Sequence, residues 1–235
     1  MSASSIEAGR QAGGRRHATT LAAVAALAGL LFGFDTAVVN GGLLLLRAQF
    51  HMNDLQAEFA AGALIAGAVL GASIAGWSGD RFGRRTMLGW TAGLFALSSI
   101  GAALPSNLIE FELARLIGGV GIGLGSTLAP VYISEIAVPA TRGRLVTLNQ
   151  LAVVLGILGS YFLCWVLATL GPGSWRWMFG AGLIPALALL LGLFNIPESP
   201  RWLMKSGRTA EAADVLAAIA GEEEGASEKL QIEEA

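Results

Sequence analysis

Apolar residues along this chain gather into six long runs, each separated from the next by a short charged connection. The runs cover Thr19–Leu46, Leu55–Ser78, Met87–Leu104, Leu108–Ile133, Leu145–Leu170 and Trp175–Ile196. A helix needs about 20 mostly apolar residues to cross a bilayer, so the pattern predicts an all-α protein with six membrane-spanning helices. After Glu198 the chain turns polar. There TAEAADVLAAIA (Thr209–Ala220) has the spacing of an amphipathic helix, and the acidic GEEEGASEKLQIEEA that follows is expected to be a frayed or interrupted tail.

Composition agrees with the pattern. Hydrophobic residues make up 54% of the chain and charged residues 14%, with a mean hydropathy of +0.63. A soluble domain of this length has no interior large enough for so much apolar surface. The net charge of −2 argues against a nucleic-acid partner, and the single Cys164 excludes a disulfide framework. The basic start (Arg10, Arg15, Arg16) resembles that of a signal peptide. The run behind it is too long, contains Asp35 and lacks a clear cleavage site.

Charge also gives an orientation. With the N-terminus inside, 12 of the 15 basic residues fall on cytoplasmic segments, Lys229 included; Arg47 and Arg176 fall outside, and Arg115 lies within the fourth span. By the positive-inside rule both ends are cytoplasmic, and Trp175 and Trp177 at the outer end of the sixth run suit an interfacial belt. The expected organisation is a cytoplasmic segment 1–18, a transmembrane domain 19–196 and a cytoplasmic helical segment 197–235.

Glycine is frequent, with 32 residues, and is patterned. Gly29/Gly33, Gly67/Gly71, Gly119/Gly123 and Gly121/Gly125 are small-xxx-small pairs that let membrane helices approach closely. The run GGVGIGLGS (Gly118–Ser126) superficially suits a dinucleotide loop. It lies inside an apolar span, without the strand and turn such a loop requires, and helix packing is the better reading.

Two groups of charges carry candidate chemistry. Asp80, Glu135 and Glu198 stand at the cytoplasmic C-termini of the second, fourth and sixth runs, where the helix dipole disfavours an acid without cations. Arg81, Arg84 and Arg85 follow the first, Arg142 and Arg144 the second, and Arg201 the third. Positive-inside flanking accounts for the arginines but not for the acids, which point to an inner-face ion-pair network that is made and broken.

The second group is intramembrane. Asp35 lies 11 residues, about 16 Å, below the outer end of the first run, and Arg115 lies 7 residues, about 10 Å, below the same face in the fourth. A carboxylate in hydrocarbon costs roughly 2.5–3.5 kcal/mol, and such acids often serve as proton relays. Opposite charges at comparable depth are expected to pair, whether as a relay or as a fixed bridge holding the bundle.

Several segments resemble one family. GWSGDRFGRR (Gly76–Arg85) resembles the loop signature of the major facilitator superfamily. PVYISEIAVPATRGRL (Pro130–Leu145) and PESPRWL (Pro197–Leu203) are similar to two signatures of its sugar porter branch. GFDTAVVNGG (Gly33–Gly42) and NQLAVVLGILGSY (Asn149–Tyr161) fit the same branch. The resemblance implies one half of the major facilitator fold, six helices in a 3+3 repeat, and a twelve-helix whole with substrate between the halves. It implies a missing C-terminal six-helix half, the chain being a fragment, a truncated gene or a subunit.

The family pattern also implies transport of a monosaccharide with a proton. Asp35 stands at the protonation site of proton-coupled bacterial symporters, and Arg115 at the arginine that biases it. The expected proton route opens outward onto Asp35. Gln150 matches a glutamine that hydrogen-bonds hexose hydroxyls, with Asn149 beside it as a weaker candidate. Ile157 lies 7 residues on along the same face, and Phe32 matches a cavity aromatic. No cofactor, metal site or nucleophile is implied, and no catalytic constellation argues for an enzyme. A sugar sensor or regulatory half-protein, and a polyol or organic acid transporter, remain open from sequence.

Overall fold

The computed structural model describes residues 3–220, with side chains from His17 to Ile219. The expected tail, Lys229 and the side chains of Arg10, Arg15 and Arg16 lie outside them. The helices are α1 (Ala3–Phe50), α2 (Asp54–Phe82), α3 (Arg84–Ala103), α4 (Leu108–Ile136), α5 (Arg142–Leu167), α6 (Trp175–Gly180), α7 (Leu183–Leu193), α8 (Pro200–Lys205) and α9 (Thr209–Ala220). Among the described residues there is no strand. Among the same described residues, six stretches are long and apolar enough to cross a membrane, with α6 and α7 sharing the sixth.

Local chemistry sets the boundaries. α1 starts well before Thr19, because no proline interrupts the first 50 residues. At the start of α2, Asn53 and Gln56 form a reciprocal capping box at 2.8 and 3.0 Å. Asn107 caps α4 by accepting from the Glu110 N–H at 2.9 Å. Gly83, at φ 95°, makes the corner between α2 and α3 in a conformation that side chains disfavour.

The sixth run is not one continuous helix. It breaks at Ala181–Gly182, four residues before Pro185, whose ring has no N–H and crowds the carbonyl of residue 181. That carbonyl accepts instead from the Ile184 N–H at 3.0 Å, which tightens the turn. The amphipathic helix has the expected bounds, and it buries Ala212, Leu216 and Ile219.

Packing follows the glycines. The closest helix pairs are α2 with α4 and α1 with α5. A methyl added at Gly67 or Gly71 would strike the α4 carbonyls of Leu116 or Val120, and one at Gly119 or Gly123 the α2 carbonyls of Leu64 or Ala68. Gly33 and Gly156 stand in the same relation across α1 and α5. Gly121 and Gly125 face α3 instead, against Thr91 and Leu94. Exchanging the first three spans with the last three turns α1·α5 into α4·α2, the signature of a repeat in which each three-helix unit lends helices to the other.

One interfacial assignment is corrected. Trp175 is completely buried, and its indole N–H donates to Gln49 Oε1 at 2.8 Å. It belongs to an aromatic cluster with Phe50, Phe111 and Phe179 rather than to a belt. The turn preceding α6 directs Trp175 inward, and an indole buried there still finds a partner for its N–H. Trp177, two residues on, is 70% exposed.

Candidate functional site

α1 and α4 bring the two intramembrane charges together. Arg115 Nη1 donates to Asp35 Oδ1 in a buried ion pair, the two residues being 1% and 4% exposed. Asp35 Oδ2 and Arg115 Nε and Nη2 have no hydrogen-bond partner among the described residues. The guanidinium also lies 5.4 Å from the centroid of the Phe179 ring. Phe179, in α6, is itself braced edge-on by Phe111 at 5.1 Å.

Arg115 therefore sits between a carboxylate and an aromatic face, in a low-dielectric setting that strengthens both contacts. The pair is closed from solvent here. Asp35 is buried and the Phe179 ring covers the guanidinium, so the outward-opening route expected from sequence is not open in this state. Sequence reasoning located both charges but missed Phe179, whose only signal is its place in an aromatic run, WRWMF.

The faces of α1 and α5 sort their residues clearly. At about 3.6 residues per turn, Gln150, Val154, Ile157 and Tyr161 share one face of α5. Leu151, Leu155, Leu158 and Phe162 share the adjoining one, while Ala152, Gly156, Ser160 and Cys164 are buried against the bundle. Gln150 is exposed, Ile157 is half-buried and Phe32 of α1 is 36% exposed. All three lie where a second body can reach them. Asn149 does not: its side chain packs against Gly29 of α1.

Phe32, Thr36 and Asn40 follow one another at four-residue intervals on the exposed side of α1. Asn40 Nδ2 donates to Tyr161 Oη at 3.3 Å and joins the two helices there. Sequence reasoning stopped at Ile157; the spacing of Tyr161 from Gln150 was the available signal.

At the arginine-rich end, part of the expected network is assembled. Arg84 bridges α2 and α4, with Nη2 at 2.8 Å from Asp80 and Nε at 3.1 Å from Glu135. Glu198 Oε1 accepts the backbone N–H of Arg85 and of Ser199, each at 2.9 Å, while the Arg85 side chain donates to the Leu193 carbonyl at 2.8 Å. Four residues missed from sequence complete it. Ser199 Oγ donates to Glu135 at 2.6 Å, Lys205 Nζ pairs with Asp80 at 2.7 Å, and the Trp202 indole donates to the Asp80 carbonyl at 2.9 Å. Tyr132 Oη donates to the Pro197 carbonyl at 2.9 Å.

The remaining arginines stand apart from it. Arg81 lies over the rings of Trp77 and Phe82, at 5.9 and 5.7 Å. Arg142, Arg144 and Arg201 form no ion pair with the described residues. The acids are thus tied by Arg84, Lys205 and backbone N–H groups, not each by the arginines that follow it. α8 folds the Pro197–Leu203 segment back beneath α2 and α4, which brings Ser199, Trp202 and Lys205 onto Asp80 and Glu135.

Similarity to known proteins extends over most of the chain. A family model described as "Sugar (and other) transporter" matches residues 21–235. The chain is 40% identical over 219 residues to the arabinose-proton symporter of Bacillus subtilis, covering 91% of this chain and 47% of that protein. It is 38% identical over 230 residues to the D-xylose-proton symporter of Escherichia coli, covering 84% of this chain and 47% of that one. Among solved structures it is similar to a proton:xylose symporter bound to 6-bromo-6-deoxy-D-glucose, with a TM-score of 0.88 at 34% identity over 92% of this chain and 52% of the other. A partially occluded, inward-open xylose transporter from E. coli gives a TM-score of 0.88 at 34% identity, over 92% of this chain and 58% of that one. The chain spans about half the length of the curated relatives it matches. The bundle is accordingly one half of the major facilitator fold, and this multi-pass membrane protein belongs to the sugar (and other) transporter family of the major facilitator superfamily.

Proposed function

We propose that this chain is the N-terminal half of a transporter that carries a monosaccharide together with a proton. The observation that carries the reading is the Asp35–Arg115 pair, a buried acid and base joining α1 to α4. Relatives named as arabinose-proton, D-xylose-proton and galactose-proton symporters support it. A second six-helix half supplies the other wall of the substrate path, and both ends of this chain face the cytoplasm. The segment from residue 197 onward begins the cytoplasmic link between the halves.

In the proposed cycle the aromatic cover over Arg115 opens outward and Asp35 takes up a proton. Neutralising the carboxylate releases Arg115, which keeps Phe179 as its partner. The outer side then closes around sugar held on the face of Phe32, Gln150 and Ile157. Closure outside requires opening inside, and the Asp80–Arg84–Glu135 contacts with Glu198, Ser199 and Lys205 are the set that breaks and re-forms. Such a set is the bistable element that alternating access needs. Proton release to the cytoplasm restores the ion pair.

Counterflow tests the reading. Vesicles holding this chain with a second six-helix half, preloaded with unlabelled D-xylose or L-arabinose, should transiently concentrate the labelled sugar. Vesicles with the second half alone should not. Equal, slow leakage in both would remove the transport reading.

A further inference from the structure

The residues assigned above do not account for Thr36, Asn40 and Tyr161. All three are exposed on the first and fifth spans, and Asn40 and Tyr161 are hydrogen-bonded to each other at 3.3 Å. Polar side chains facing hydrocarbon are disfavoured, and the lipid-ready face of α5 carries Leu151, Leu155, Leu158 and Phe162 instead. Tyr161 lies on the other exposed face, with Gln150 and Ile157, and Asn40 continues the line of Phe32 and Thr36. This face therefore carries polar groups at its two ends, Gln150 at one and Tyr161 with Asn40 at the other, with Val154 and Ile157 between them.

Its chemistry is neutral. Tyr161 Oη accepts from Asn40 and retains a proton to donate, and Asn40 keeps its amide oxygen and a second N–H. The Thr36 hydroxyl donates to the Phe32 carbonyl at 2.8 Å and still accepts. Two hydroxyls and an amide match the alternating donors and acceptors of a sugar and offer no charge to an organic acid. The nearest cation along α1, Arg47, is occupied by Asp54 at 2.5 Å. Tyr161 lies 11 residues from Gln150, about 16 Å along the helix, farther than one monosaccharide spans.

Resting on the proposed function, we infer that Asn40 and Tyr161, with Thr36, form a second sugar-hydroxyl station at the outer mouth of the path. A monosaccharide occupies it before it reaches Gln150. The Asn40–Tyr161 bond closes the station when it is empty, and a sugar hydroxyl replaces it on entry.

Cysteine substitution tests the station in the transporter formed with a cysteine-free second half. The single Cys164 is first changed to Ser. Asn40→Cys, Tyr161→Cys and Gln150→Cys are then each treated with a membrane-impermeant maleimide, with and without D-xylose or L-arabinose. The station predicts labelling at 40 and 161, slowed about ten-fold by sugar at ten times its Kd, because only the unoccupied form reacts. Tyr161→Phe keeps the ring and should raise the half-saturating sugar concentration roughly two- to ten-fold.

Failure to label at 40 and 161 places these groups against lipid or the second half and overturns the station. So does labelling that sugar does not slow there, if Gln150→Cys is protected. Loss of protection at all three positions removes the sugar reading itself, and the station with it.

Discussion

Asp35→Asn, in the transporter formed with a second half, is expected to keep sugar exchange and lose accumulation driven by a pH gradient. Asparagine has nearly the shape of aspartate and, like the protonated acid, carries no charge, so the variant stands in for the state in which Arg115 is released and sugar exchange continues. What it cannot do is take up and release a proton. One pH unit is worth 1.36 kcal/mol per proton, so one-to-one coupling drives about ten-fold accumulation across such a gradient. The variant should equilibrate labelled sugar to about the outside concentration while its counterflow stays within a few-fold of the parent. Gradient-driven accumulation that survives the substitution would reduce Asp35 to a structural partner of Arg115.

Arg115→Leu should have the largest effect on stability. It removes the counter-charge of Asp35, a residue 4% exposed in the parent protein. Removing one partner of a buried ion pair costs about 3–5 kcal/mol, whereas replacing both by uncharged groups is often close to neutral. The expected result is a large loss for Arg115→Leu and a recovery of most of it in Asp35→Asn/Arg115→Leu. Chemical unfolding of this chain in lipid nanodiscs measures both. A double variant as unstable as the single would show that the guanidinium matters through its packing on Phe179 rather than through the pair.

These two residues show how far the sequence was legible. An acid and a base inside apolar runs stand out on cost alone, and counting residues from the ends of the runs put them at similar depth. The six spans were readable because hydropathy in a membrane protein reports the solvent directly. Glycine spacing announced the close helix pairs, although not which helix each pair would meet.

Other features depended on contacts that local pattern does not carry. Trp175 and Trp177 sit two residues apart in similar sequence, and only the turn before α6 decides that one is buried and the other exposed. The break at Ala181 is a local consequence of Pro185 that hydropathy, unbroken through the run, does not report. At the charged end, proximity in sequence misassigned the partners. Arg142, Arg144 and Arg201 follow Glu135 and Glu198 along the chain, yet Arg84 reaches Glu135 in space and backbone N–H groups hold Glu198. The closed state of the pair was likewise invisible, because Phe179 covers the guanidinium from another helix, α6.

Sugar-evoked proton movement tests the central claim most directly. In lightly buffered suspension, vesicles containing the assembled transporter should alkalinise the medium when D-xylose or L-arabinose is added without any imposed gradient. About one proton should disappear per sugar taken up, and Asp35→Asn should give none at an equal exchange rate. Sugar entry with no change in external pH in the parent protein would contradict the account, however well the pair fits between α1 and α4.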